Sequence, residues 1–474
     1  MRMRSWCIHF AVLLLVGASS LHAEGPATLT PTGLFEAWPR FRVSPPDPYG
    51  FRHAALSATL EKLGRDHPGL FAVADEGRSA EGRRLAVLRL GTGPLKVLLW
   101  SQMHGDEPTA TSALVDAVEY LGRTRTSEAT ARLLSRLTIY LLPMLNPDGA
   151  ERTTRRNAQG IDINRDALRL QTPEGRFLKA VRDRFAPSFG YNLHNQSPLT
   201  SAGPGGPQVA LAVLSVAYDE PATENDGRRA TKRLALAVRD AVAPWAAGKV
   251  ARYDADYSAR AFGDSMTRWG TPTLLIETGG WNGPDEAGML VRLNFVAILS
   301  SLGTLAEGAL ESLDPKDYDA IPVLVREGLF DLVVREATVL NGAGLPPYVA
   351  DVAINRPVPF GGTSPRSRPG VVDLGDLASF AGKEEIDARG ALLVPAPPGG
   401  QEGWARTVAA LRARGLAEDA GALLLPAEAL SLEVKRWAAP GPPLAPGYSG
   451  DLLLLEPAGR TGWRLLRRLS AAGR

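Results

Sequence analysis

Between residues 51 and 310 short apolar runs alternate with amphipathic segments, and this alternation narrows the possible folds more than any other feature of the chain. Ala55–Leu63 and Thr109–Gly122 repeat apolar residues at helical spacing, and Thr172-Pro173-Glu174 opens a third such segment that runs to Phe185. Arg228–Trp245 and Ala287–Leu310 complete the helical set. The strand-like runs are Arg84–Leu90, Lys96–Ser101 (KVLLWS), Leu137–Leu142 (LTIYLL), Phe189–Leu193 (FGYNL), Val209–Val216 and Thr273–Ile276. Asn146-Pro147-Asp148-Gly149 is a strong turn signal behind the third of these. Strand–helix alternation on this scale predicts an α/β domain over 51–320, with a largely parallel sheet covered by helices on both faces.

The flanks read differently. Residues 1–23 carry a charged start, a short apolar stretch from Trp6 to Gly17 and a small-residue exit ending at Ala23. That is the pattern of a secretory signal peptide; a spanning helix needs about 20 apolar residues. Residues 24–50 hold Pro39, Pro45, Pro46 and Pro48 and read as a Pro-rich, extended lead-in. Beyond about 325 the chain turns to Val-rich strand-like runs and dense Pro/Gly turns, including the loop Pro357–Pro369. This predicts a β-rich accessory domain over 326–474, joined near Pro322–Glu327, of about 150 residues, an ordinary domain size.

Composition excludes several classes. A net charge of +2 gives no electrostatic reason to expect nucleic acid or an anionic membrane as partner. The single cysteine, Cys7, lies inside the signal peptide, so the processed chain has no cysteine and no disulfide. Six histidines are present, and removing residues 1–23 leaves His53, His67, His104 and His194.

Two of those four occupy a pattern that carries chemistry. His104-x-x-Glu107 directly follows the run Lys96–Ser101, and His194 follows Phe189–Leu193. Ligands bind at the carboxyl ends of strands in open α/β sheets. Two imidazoles and one carboxylate supply three zinc ligands and leave a fourth position open, as catalytic zinc requires. Gly105 is expected to let the loop turn tightly so that His104 and Glu107 converge. Glu277 ends the run Leu274-Leu275-Ile276, where a carboxylate is either paired structurally or catalytic. The stretch from Arg155 to Asp166 (RRNAQGIDINRD) places arginines and an Asn-Arg pair on a Gly-containing loop that suits carboxylate or carbonyl oxygens.

Taken in order, His104-x-x-Glu107, Asn146-Pro147-Asp148-Gly149, Arg155, Gly160-x-Asp162-x-Asn164-Arg165, His194 and Glu277 resemble the zinc carboxypeptidase family of metallopeptidases over roughly residues 50–310. The resemblance implies a carboxypeptidase-like α/β fold with a mixed, twisted sheet flanked by helices. It implies one zinc (Zn2+) per chain on His104, Glu107 and His194, with Asp162 accepting a hydrogen bond from His104. It further implies Glu277 as general base toward a zinc-activated water, Arg155 as oxyanion stabiliser, and Asn164 and Arg165 as the grip on a terminal carboxylate. The family's substrate-facing phenol falls to Tyr253 or Tyr257, and Phe262 lies near its side-chain specificity position. The sequence departs from the digestive enzymes at Asp106, and His-Gly-Asp-Glu looks more like bacterial murein-peptide amidases. Asp166 also stands where many relatives have asparagine.

A second, weaker resemblance links residues 328–395 to the small β-domain that flanks the barrel of amidohydrolases. It rests on Phe330–Gly342, Ala350-Asp351-Val352 and Glu385–Gly390, and it implies a structural or docking module. The expectation for the whole is a secreted or periplasmic bacterial zinc metallocarboxypeptidase acting on peptides or muropeptides, with no membrane span after signal cleavage. Its rivals are a murein-peptide amidase or deacylase on cell-wall peptides or acyl-amino acids, and a non-catalytic peptide-binding protein. Competent residues at every ligand, base and anion-handling position speak against the last.

Overall fold

A computed structural model describes residues 29–253, 256–340, 346–356, 370–418, 422–438, 444–459 and 462–469. The expected signal peptide and the loop 357–369 lie outside the described residues.

The first sheet contains β1 (Phe71–Arg78), β2 (Arg84–Leu90), β3 (Leu95–Ser101), β4 (Leu137–Leu142), β5 (Phe189–Asn195), β7 (Leu211–Ser215), β8 (Val250–Arg252) and β9 (Thr273–Thr278). Their spatial order is β1-β2-β4-β3-β5-β9-β7-β8. The central pairs β4–β3, β3–β5 and β5–β9 are parallel, whereas β1–β2, β2–β4 and β7–β9 are antiparallel. The edge pair β7–β8 is parallel as well. The sheet is therefore mixed: parallel at its centre, antiparallel through β1–β2–β4 at one edge, and joined to the parallel β7–β8 pair by the antiparallel β9–β7 pairing at the other. A continuous apolar run fixes burial on both faces without fixing strand direction, so the alternation alone overstated how parallel it is.

Side-chain alternation divides each central strand between two cores. Val97, Leu99, Ile139, Leu141, Tyr191, Leu193, Leu274 and Ile276 face one core, which the helices Thr109–Arg123 and Glu286–Glu307 cover. Leu98, Trp100, Tyr140 and Leu142 face the other, beneath the helices Pro173–Phe185 and Phe262–Arg268. Glu286–Glu307 is long and apolar enough to cross a membrane by length and composition, but most of it is buried against this core.

The Pro-rich lead-in differs from expectation. Pro31–Phe41 is an α-helix with Leu34, Ala37, Trp38 and Phe41 buried. Pro31 stands at its first position, where a missing N–H costs nothing, and Thr30 caps it. Phe35 stacks on Trp245 at 3.8 Å, and its carbonyl accepts from Arg292 Nε at 2.7 Å. Asn146-Pro147-Asp148-Gly149 likewise proves to be a helix start. Asn146 caps Pro147–Arg152 by accepting from the Gly149 N–H at 2.9 Å.

Beyond the first sheet, β6 (Ser201–Ala202) pairs antiparallel with β10 (Leu324–Val325). The accessory region then forms a seven-stranded sheet from β11 (Leu329–Val339), β12 (Tyr348–Asn355), β13 (Gly370–Gly375), β14 (Ala381–Asp387), β15 (Leu392–Pro395), β16 (Leu452–Ala458) and β17 (Gly462–Leu469). Two helices, Gly400–Ala413 and Ala427–Ala438, supplement the expected strands. Strand alternation again separates two cores: Leu452 and Leu454 face one, while Leu453 and Leu455 join Leu411, Leu430 and Val434 in the other.

Candidate metal and catalytic site

β5 and β9 run parallel with His194 directly opposite Glu277. Tyr191 and Leu193 on β5, and Leu274 and Ile276 on β9, point into the same core, so His194 and Glu277 project together from the opposite face. The loop after β3 brings the remaining ligands. Gln102 takes a positive φ of 51°, and its carbonyl accepts from the Asn146 N–H at 2.9 Å. Gly105 contributes through its missing side chain. A Cβ there would lie 2.0 Å from the Gly149 carbonyl carbon, so only glycine allows the loop to press against the neighbouring helix. The tight turn expected of Gly105 is thus a close backbone approach, without the left-handed conformation.

His104, Glu107 and His194 are buried and offer ligand atoms that all lie within 4.8 Å of one another. Glu107 Oε1 is 2.7 Å from His104 Nδ1, and its Oε2 is 2.7 Å from His194 Nδ1. The two Nδ1 atoms face each other at 3.1 Å. Opposed imidazole nitrogens sharing one carboxylate, away from solvent, form a donor set suited to Zn2+. His104 Nε2 lies 3.1 Å from Asp162 Oδ1, which ties down the ring and leaves Nδ1 for a metal. Burial opposes charge on His104, but Glu107 and Asp162 outweigh it and push the imidazole up to about 9. Burial likewise opposes ionisation of Asp162, yet the His104 hydrogen bond and the charges of His104, Arg155 and Arg165 hold its carboxyl well below the usual range.

Arg155 fastens to the same cluster. Its Nε donates to Asp162 Oδ2 at 3.0 Å, and its Nη1 lies 3.2 Å from Glu107 Oε1. Asn164 and Arg165 follow Asp162 on a short 3-10 turn, Ile163–Arg165. Asn164 Oδ1 accepts the Phe262 N–H at 2.8 Å, and exposed Arg165 donates to the Asn164 carbonyl at 2.6 Å. Burial, together with Arg155 and Arg260 nearby, holds the Arg165 guanidinium below its ordinary range.

Burial pushes the Glu277 carboxyl up to about 8, and the charge of Glu107 adds to the effect. The Tyr253 hydroxyl donates to its Oε2 at 3.2 Å and to Gln196 Oε1 at 2.7 Å. Between the two candidate phenols, only Tyr253 therefore reaches Glu277. Tyr257 is half-buried and makes no hydrogen bond through its hydroxyl among the described residues. Phe262 requires a correction. Its backbone braces Asn164, but its ring is fully buried in the second core and packs edge-on to Trp269, so it lines no open cleft.

Sequence reasoning passed over three neighbours of the site. Gln196, two residues after His194, orients Tyr253. The Asn195 N–H donates to Glu107 Oε2 at 3.1 Å. Tyr49, from the lead-in, feels the charges of Asp106 and Glu107; burial and those charges together raise its phenol. Only Gln196 and Asn195 had a signal, their closeness in sequence to His194.

Residues 56–203 match a family model described as zinc carboxypeptidase, which covers His104, Glu107, Arg155, Asp162, Asn164, Arg165 and His194 and stops short of Glu277. The chain is 32% identical over 134 residues to carboxypeptidase E of Caenorhabditis elegans, covering 24% of this chain and 28% of that protein. It is 32% identical over 150 residues to the human carboxypeptidase N catalytic chain, covering 26% of this chain and 32% of that one. The chain thus spans less than a third of the length of these curated relatives. A solved metallo-carboxypeptidase from Pseudomonas aeruginosa overlaps 54% of this chain and 68% of its own, at 18% identity and a TM-score of 0.44.

Proposed function

We propose that this chain, whose residues 56–203 carry the zinc carboxypeptidase pattern, is an exported zinc-dependent metallocarboxypeptidase that hydrolyses the C-terminal bond of a peptide. The observation that carries the reading is the buried His104–Glu107–His194 cluster with Glu277 opposite His194 on the adjoining strand. His104, Glu107 and His194 would hold one zinc, which when bound polarises a carbonyl and lowers the pKa of water. Asp162 fixes the His104 ring. Glu277 takes a proton from the attacking water and later delivers it to the leaving amine, work that suits a carboxyl held at about 8. Arg155, whose Nη1 already lies 3.2 Å from Glu107, would offer its guanidinium to the oxyanion. Asn164 and Arg165 would take the terminal carboxylate, with Asn164 braced by the Phe262 N–H. Export rests on the signal-peptide pattern of residues 1–23.

A second reading, amidase action on the peptides of cell-wall material, rests on Asp106 between the metal ligands. The test is zinc-dependent release of C-terminal residues from a panel of free-carboxylate peptides, their amidated counterparts and muropeptides. Arg165→Ala separates the two readings. A carboxypeptidase loses kcat/KM on free-carboxylate peptides and much less on amidated ones, by about tenfold or more for a lost bidentate contact. Indifference of the variant to that group hands the function to the amidase reading. No zinc-dependent release from any member of the panel overturns both.

A further inference from the structure

Arg326 stands at the seam between the first sheet and the accessory region. It directly follows β10, whose Leu324 and Val325 pair with Ala202 and Ser201 on the segment leading away from His194 and Gln196. The chain is held on its other side as well, since the Leu329 N–H donates to the Leu199 carbonyl at 3.3 Å. Gly328 packs so closely that a Cβ there would lie 2.4 Å from Ser201 Oγ, and Glu327 takes a positive φ of 54°. The backbone carrying Arg326 is therefore fixed on both sides against residues 199–202, the segment that follows His194 and Gln196.

From that position the Arg326 guanidinium lies over the ring of Tyr253, 5.5 Å from its centroid. Tyr253 is the residue whose hydroxyl reaches Glu277. The Arg326 side chain is exposed, and no carboxylate lies within ion-pair distance of it among the described residues. Arg335 pairs with Glu385 and Arg414 with Glu433, whereas Arg326 makes no such pair among the described residues, which leaves its guanidinium available to an anionic ligand. Its charge reaches the Tyr253 phenol, where it works against the effects of burial and Glu277. Arg165 has separate surroundings: Asp162, Arg155, Arg260 and Asp264 are the charges around it. Arg165 and Arg326 thus have disjoint neighbours, Asp162 and Asp264 for the first and Tyr253 for the second.

We propose that Arg326 is a specificity residue that takes a side-chain carboxylate on the acyl side of the scissile bond, so that the substrates are peptides with an acidic penultimate residue. This rests on the metallocarboxypeptidase reading, in which Arg165 takes the terminal carboxylate and the peptide runs from there past Glu277 toward Tyr253. The accessory region then does more than pack beside the sheet, because the strand that leads into it supplies a wall of the cleft.

The test uses the full zinc-loaded chain carrying Glu277→Gln, which binds peptide without cutting it. Two tripeptides that differ only in Glu or Gln at the penultimate position are titrated calorimetrically. The Glu peptide binds roughly three- to fivefold more tightly, as an exposed ion pair allows, and the preference fades in high salt. Adding Arg326→Gln removes the preference, and Arg326→Lys retains it. Three outcomes overturn the proposal: equal or no binding of the two peptides before Arg326 is changed, an unaltered preference in Arg326→Gln, or an equal loss for both peptides, which marks Arg326 as mere support for Tyr253. Turnover by the chain with Glu277 intact is measured in parallel. Cleavage of neither peptide counts against the metallocarboxypeptidase reading, while the titration still judges Arg326.

Discussion

The Tyr253 hydroxyl sits 3.2 Å from Glu277 Oε2 and has a single proton to share between that oxygen and the Gln196 amide oxygen 2.7 Å away. When Glu277 is ionised it accepts part of that proton. When Glu277 is protonated it can itself donate to the phenol oxygen, releasing the phenol to Gln196. The tyrosine therefore reports on, and biases, the charge state of the proposed base.

Tyr253→Phe should move the acid limb of the pH profile. The hydroxyl stabilises the Glu277 carboxylate, opposing the burial that pushes this carboxyl up to about 8. Without the donor the carboxyl protonates at still higher pH, so the base form is lost sooner as pH falls. The expected result is an upward displacement of the acid limb of kcat/KM with the alkaline limb in place. A profile that keeps its acid limb, or moves it down, separates Tyr253 from the ionisation of Glu277.

Glu277→Gln should retain the fold and the zinc but lose turnover by roughly two or more orders of magnitude, because an amide accepts no proton from water. The fold tolerates the change because glutamine keeps the shape of glutamate and adds no buried charge. Zinc content by atomic absorption and kcat on a free-carboxylate peptide are the two readouts. Near-normal turnover assigns the base to another group.

Much of this arrangement was legible in the sequence for physical reasons. Strands such as Leu137–Leu142 are bounded by their own apolar content, and the side-chain period of two puts His194 and Glu277 on one face once their strands are paired. His104-x-x-Glu107 was legible because a metal needs its ligands within reach of one another. The lead-in was misjudged by weighting prolines over spacing. Leu34, Ala37, Trp38 and Phe41 recur at three, four and seven residues, a buried helical stripe, and Pro31 sits where helices accept proline. Phe262 was misplaced because closeness along the chain to a specificity position does not fix which way a ring points. Arg326 carried no signal at all, since its placement over Tyr253 depends on β6 and β10 meeting across more than a hundred residues of chain.

Asp264→Asn tests an acid buried beside Arg165. Burial pushes the Asp264 carboxyl up to about 6 from an ordinary 3.8, even though it accepts the Ser258 N–H at 2.8 Å. With the folded pKa above the unfolded one, the folded state binds more protons between these values, so this group costs stability as pH rises from about 4 to 6. The asparagine variant should gain stability relative to the parent across that window and hold a constant difference above it. Thermal unfolding of both proteins from pH 4 to 8 gives the comparison. A difference that stays flat with pH would place the ordinary carboxylate value at Asp264.

Asp116→Ala should release the N-terminal helix. The buried Asp116 carboxylate accepts from Trp38 Nε1 at 2.9 Å, from the Val43 and Ser44 N–H groups at 2.8 Å each, and from Ser44 Oγ at 2.9 Å. One side chain on the helix Thr109–Arg123 thus ties down the whole stretch from Trp38 to Ser44. Alanine removes every acceptor at once and strands the donors, each buried unmet group costing about 1–3 kcal/mol. Water can satisfy the more exposed Val43 end, so the expected loss is about 3 kcal/mol, read from urea unfolding. The same substitution has a functional consequence, because the released stretch leads directly to Pro48–Gly50, which carries Tyr49 into the field of Asp106 and Glu107. Amide exchange should rise across 31–50 before it rises elsewhere, and kcat/KM should fall with zinc content unchanged. A stability loss below about 1 kcal/mol with residues 31–50 still protected would show that the apolar stripe of Leu34, Trp38 and Phe41 holds the helix without the carboxylate.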